Sequence, residues 1–224
     1  HSDLRRQRQM CIRDSYYNYI DDGITINEPV INTIKNGKIH NIDLIIGSNN
    51  DEYSLYFGGI ADVDGWLNAE VSDKQKNKLT KLLSNIDDPI RKLDLLITAK
   101  NFVCPSLSIA KTVNLSGGNS WVYQFNRVRD DPKALKYGAF HGAELPYVFD
   151  THDEWLPTND IDRKITQEVQ SYWVQFSKTG NPNLEQKMWD PYSAQTNSTF
   201  IINEKSYSSS HPSYEICKIM EPSW

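Results

Sequence analysis

Two side chains in this sequence are placed as acid–base chemistry requires. His141 stands between Phe140 and Gly142, in a glycine-flanked loop that follows a strand, where an imidazole can project into a cleft. Glu52 closes the polar run Gly47-Ser48-Asn49-Asn50-Asp51-Glu52, just past the carboxyl end of the apolar run Ile42 to Ile46. In open α/β sheets reactive groups sit in that place. A carboxylate bonded to one imidazole nitrogen fixes the tautomer, and the other nitrogen can then take a proton from a serine hydroxyl. Taken singly, each residue also has a plain reading. A lone histidine is commonly a structural residue, and an Asp51-Glu52 pair reads as a solvated turn.

Other chemistries find less support. His141, Glu144 and His152 could be grouped around a metal, but no helix carries two histidines with a glutamate between them, so no metal is expected. Glu144 reads instead as a supporting carboxylate or a surface acid near His141. No phosphate-cradling glycine loop occurs, so no nucleotide cofactor is expected. The 24 basic and 29 acidic side chains give a formal charge of -5, which argues against a nucleic-acid partner. No apolar run approaches the roughly 18 residues of a membrane span. Cys11, Cys104 and Cys217 are widely spaced with no CxxC pair, leaving free thiols and one long-range disulfide both open.

The elements that would position the pair follow an α/β rhythm. Tyr16 to Gly37 carries turn residues between short strands, and Ile42 to Ile46 reads as a strand of a parallel sheet. Ser72 caps a helix over Lys74 to Ser84, Asp88-Pro89 opens a second, and Asn101 to Asn114 forms a third with Pro105 in its first turn. Trp121 to Phe125 is a strand. Ile165, Val169, Trp173 and Phe176 mark the apolar face of a helix over Ile161 to Lys178, closed by Gly180. Trp189 to Asn203 reads as an extended edge segment. Only two strands have buried-parallel character, which is too few for a complete sheet. His1 to Ser15 is Arg-rich and lacks both periodicity and the apolar core of a signal peptide. It reads as a foreign or misassembled segment, leaving residues 16–224 as the domain proper.

From about Tyr19 onward the chain resembles the C-terminal portion of type-B carboxylesterases, the carboxylesterase and cholinesterase family of α/β-hydrolases. The resemblance rests on Ile45 to Glu52, on Gly138 to Phe149, and on Tyr172 to Asn183. Trp189-Asp190-Pro191-Tyr192 and Asp22-Gly23 add to it. It implies the C-terminal part of an α/β-hydrolase fold, with an incomplete, mostly parallel sheet and packed helices. It also implies a serine hydrolase of small carboxylic esters that needs no cofactor and works through an acyl-enzyme. Glu52 would orient His141, and Glu144 would be the carboxylate kept beside that histidine. Cys104 and Cys217 resemble two cysteines that some secreted members join.

In this fold the order along the chain is serine, acid, histidine, so the nucleophile would lie upstream of Glu52. No serine here is flanked as G-x-S-x-G, and no HGGG-like run supplies an oxyanion hole. The chain is therefore expected to be a fragment, inactive alone, whose partner is the missing N-terminal half of its own domain. Tyr53 departs from the family, which usually has glycine after the acid. Two further readings are a non-catalytic adhesion-type or binding homologue, which has no chemical need for the Glu52–His141 pair, and a free-standing α/β domain.

Overall fold

The computed structural model describes residues 22–29, 32–33, 36–38, 41–58, 60–152, 157–185 and 188–221. Its chain divides into two compact units, residues 1–38 and 39–224. The segment His1 to Ser15, Cys11 with it, lies outside the described residues. In the first unit the Asp22 carboxylate accepts the N–H groups of Ile24, Thr25 and Ile26 at 2.9, 2.7 and 3.1 Å. Those three bonds hold its carboxyl down at about 2. Short strands were the expectation for this stretch, but its described residues contain none. The Asp22 turn takes up amides that a strand ladder would need.

Among its described residues the second unit is built on four strands, β1 (Asp43–Asn49), β2 (Asn119–Phe125), β3 (Ser198–Ile202) and β4 (Tyr207–Ser210). They lie in that order, with β1–β2 and β2–β3 parallel and β3–β4 antiparallel. Side chains of successive residues alternate between the two faces. Ile45, Trp121, Phe125, Phe200 and Ile202 pack on one face with Tyr147, Ile165, Val169, Tyr172 and Trp189. Ile46 and Val122 pack on the other with Leu96, Ala99, Val103, Leu107 and Ala110. The extended segment near the C-terminus is not an edge. All five residues of β3 are buried, and the polar β4 lies outside it.

The helices are α1 (Val63–Glu70), α2 (Asp73–Leu82), α3 (Pro89–Thr98), α4 (Cys104–Leu115), α5 (Pro132–Tyr137), α6 (Leu145–Phe149), α7 (Asp160–Thr179) and α8 (Tyr214–Met220). Three starts follow the capping residues in the sequence. The Asp88 side chain accepts from Ile90, the Asp131 side chain from Lys133, and Asn159 and Asp162 form a reciprocal box. Gly180 ends α7 with φ 73°.

One stretch departs from expectation. Helices α3 and α4 are not separate but run together through a π-turn at Ala99–Val103, where the Cys104 N–H reaches back to the Ala99 carbonyl. The wider turn lets the chain pass Pro105, which has no N–H to give, without breaking. The resulting helix, Pro89–Leu115, has 27 residues and by length and composition alone could cross a membrane. Reading it as two helices hid that length. Its apolar residues Leu96, Ala99, Val103, Leu107 and Ala110 are buried in the core against Val122.

A disulfide joins Cys104 at the start of α4 to Cys217 in α8 across a separation of 113 residues. Closing so long a loop restricts the unfolded chain strongly. Replacing both cysteines by serine is expected to lower the unfolding free energy by about 2–5 kcal/mol. The check is a denaturant titration of both forms, with the native form also measured under reductant.

Candidate active site

Strand β1 ends at Asn49, and the chain turns at once so that Glu52 points back toward the strand end. The buried Glu52 Oε1 accepts the Asn49 N–H at 2.7 Å. Its Oε2 lies 2.7 Å from His141 Nδ1. The imidazole comes from the loop after α5. That loop leaves the helix through Gly138 at φ 67°, ψ -152°, a conformation essentially reserved for glycine. A turn from Phe140 to Ala143 then presents His141, and the Asn49 amide donates to the Phe140 carbonyl at 2.7 Å. The two loops are thus tied together beside the acid–imidazole pair.

The pair is strongly asymmetric in exposure: the Glu52 side chain is 5 % accessible and that of His141 is 52 %. Burial pushes the Glu52 carboxyl above its ordinary range. The Asn49 N–H and the imidazole oppose that shift, and the charge of Glu144 adds to it. Glu144 Oε2 takes a hydrogen bond from the Asn49 amide, so it stands beside the pair through Asn49. Burial, with Glu144 and Glu52 nearby, also pushes the Tyr123 hydroxyl far up, so it stays protonated. With Nδ1 engaged by a carboxylate, the Nε2 nitrogen is the one left to accept a proton.

Sequence reasoning noted Tyr53 only as a departure after the acid and missed the other residues that flank the pair. Phe102, in the π-turn, has its ring centroid 5.5 Å from that of His141, and Tyr53 packs on Phe102 at 6.2 Å. Asp94 of α3 is buried and accepts the Tyr53 N–H at 2.9 Å, tying the acid turn to the helix. None of these carries a local pattern; Arg91 and Asp94 read simply as polar positions on a helix. The solvated-turn reading of Asp51-Glu52 does not hold, since Glu52 is buried and the Asp51 side chain is 14 % accessible. His152 does not join His141 and Glu144. Its ring nitrogens are held by Arg129 at 2.9 Å and Thr166 at 2.7 Å.

Burial, with the like charge of Asp51, raises the Asp94 carboxyl to about 6, against the Tyr53 N–H and Arg91. An unfolded Asp94 loses its proton near the ordinary value, so the native form loses stability as pH rises from about 4 to 6. Asp94→Asn removes that loss. Relative to the native protein the variant is expected to gain about 2–3 kcal/mol of unfolding free energy between pH 4 and 7, in denaturant titrations. A constant difference across that range would contradict the buried carboxylate.

Residues 14–219 match the model of the carboxylesterase family. Among curated proteins, the para-nitrobenzyl esterase of Bacillus subtilis (strain 168) is 29 % identical over 197 residues, which are 82 % of this chain and 39 % of that protein. The crystal protein of Dictyostelium discoideum is 25 % identical over 202 residues, 81 % of this chain and 37 % of that one. A solved PNB esterase superposes with TM-score 0.73 at 25 % identity, over 92 % of this chain and 44 % of its own. The chain spans about two fifths of the curated relatives it matches.

Proposed function

The chain belongs to the carboxylesterase family, and from that premise we propose that it is the acid- and histidine-bearing part of a serine-dependent hydrolase of small carboxylic esters. The observation that carries the reading is the 2.7 Å contact between the buried Glu52 carboxylate and the Nδ1 of the half-exposed His141. In a longer chain, a serine and the oxyanion donors would come from residues upstream of Glu52. His141 Nε2 would take the serine proton as the hydroxyl attacks the ester carbonyl, then give it to the leaving alcohol. Water would repeat the sequence on the acyl-enzyme and return the free serine. Glu52 would hold Nδ1–H throughout and balance the imidazolium charge.

The side chains around the pair support this reading. Phe102 covers one flank of the imidazole. Glu144 adds negative charge beside Glu52 without displacing it from Nδ1. We also propose that residues 16–224 form the C-terminal part of one hydrolase domain and that, expressed alone, they hydrolyse no ester. The test is a fluorophosphonate probe applied to the full-length protein. The expected result is covalent labelling of one serine upstream of Glu52, with ester hydrolysis lost in proportion. A folded full-length protein that neither labels nor hydrolyses would put the binding homologue in first place.

A further inference from the structure

Asp51 and Glu52 are adjacent carboxylates that point to different partners. Glu52 takes the imidazole. Asp51 takes a peptide group: its Oδ2 accepts the Ala139 N–H at 2.8 Å, while its own N–H donates to the Ala139 carbonyl at 3.0 Å. Ala139 is fully buried and lies two residues before His141, and one residue of the acid turn meets both its backbone N–H and its carbonyl. The fit is close enough to constrain the neighbour. A Cβ at position 138 would fall on the Asp51 carboxylate, so Gly138 is needed for this approach as well as for its backbone angles.

The other face of Asp51 is neutralised. Its Oδ1 pairs with the Arg91 guanidinium and accepts from the Asn50 amide at 3.0 Å. Arg91 also meets Asp94 at 3.1 Å, and Asp94 holds the Tyr53 N–H. Helix α3 therefore grips the acid turn at Asp51 and at Tyr53, immediately before and after Glu52. The Ser54 hydroxyl adds a bond to the Tyr137 carbonyl, on the same approach to the histidine loop.

We propose that Asp51 is a positioning residue for the hydrolase reaction. It locks the histidine loop to the acid turn so that His141 Nδ1 stays within hydrogen-bond reach of Glu52. It touches neither substrate nor imidazole, and it acts through the Ala139 peptide. The inference rests on the proposed hydrolase reading. Asparagine cannot replace it, because one amide group cannot accept from the Ala139 N–H and also pair with Arg91. Glutamate keeps the charge toward Arg91, but its extra methylene displaces the carboxylate from Ala139.

The test uses the full-length protein, with kcat counted per fluorophosphonate-titrated site so that unfolded material does not enter. Asp51→Asn is expected to lower kcat by about 10- to 100-fold, the cost of a misplacement near 1 Å, with KM changed by less than about threefold. The far-downfield proton resonance of the His141 Nδ1–H–Glu52 bond should broaden or disappear. Asp51→Glu should remain impaired in kcat. If titrated sites of Asp51→Asn turn over at the native rate while only the melting temperature falls, Asp51 is merely structural and the proposal fails. Full recovery in Asp51→Glu overturns the clamp in favour of charge pairing alone. His141→Ala in parallel separates the two levels, since activity surviving there would sink the hydrolase reading itself.

Discussion

Replacing His141 by alanine in the full-length protein is expected to lower kcat for ester hydrolysis by roughly 10⁴- to 10⁶-fold, with the fold intact. Half of the side chain is exposed, so its removal leaves no large cavity in the core. The loss would fall on chemistry. Without a base, the serine hydroxyl proposed upstream would keep its proton at neutral pH, and the leaving alcohol would have no acid to protonate it. KM should move little, because the imidazole serves the transition state more than the bound ester. The buried Glu52 would then face the vacated position without its partner, which raises the carboxyl further and costs some stability. Steady-state kinetics with a chromogenic ester checks the prediction. A decrease smaller than tenfold would remove His141 from the reaction.

Glu52→Gln is expected to cost about 10⁴-fold in kcat, and the local hydrogen bonds say why. The Asn49 N–H needs an acceptor at 2.7 Å, so the glutamine carbonyl oxygen would take that side. Its amide would then point at His141 Nδ1 and donate to it. That contact favours the tautomer with the proton on Nε2, leaving the nitrogen needed as base already protonated. The substitution is nearly isosteric, so the melting temperature should hold while kcat collapses. Burial of Glu52 adds a pH signature in the native protein. Because its carboxyl is pushed up, protonation switches the pair off at a higher pH than an ordinary carboxylate would. The Glu52 carboxyl should therefore titrate above the usual carboxylate range when followed by its carboxyl NMR resonance. A carboxyl titration at or below that range would contradict the burial.

Much of this arrangement is readable from local chemistry. The apolar runs of β1 and β2 and the 3.6-residue period of α7 are signals that a short window carries, and Gly180 marks where that helix stops. Glu52 and His141 stand out because a polar turn at a strand end and a glycine-flanked loop are places where side chains project. What stayed hidden depends on distance in the chain. Arg91 meets Asp51 across 40 residues, and neither has a neighbour that announces the other. Strand β3 was misplaced at an edge because burial on both sides depends on α7 and β4, which its own sequence does not mention. The π-turn escaped notice because Pro105 is ordinarily a reason to end a helix.

That π-turn sets the angular phase of everything around it. Between Arg91 and Cys104 the helix advances about 20 Å, and along it three separate appointments must be kept. Arg91 must meet Asp51, Phe102 must lie against His141, and Cys104 must face Cys217. A π-turn amounts to one extra residue in an α-helix, worth roughly 100° of rotation. Deleting a single residue from Ala99–Val103 would turn the disulfide end away from its partner while the Arg91 end stayed in place. Conversely, a longer insertion would swing Phe102 off the imidazole. Chain length in these five residues is thus as tightly specified as any side chain at the site, although none of them carries out chemistry.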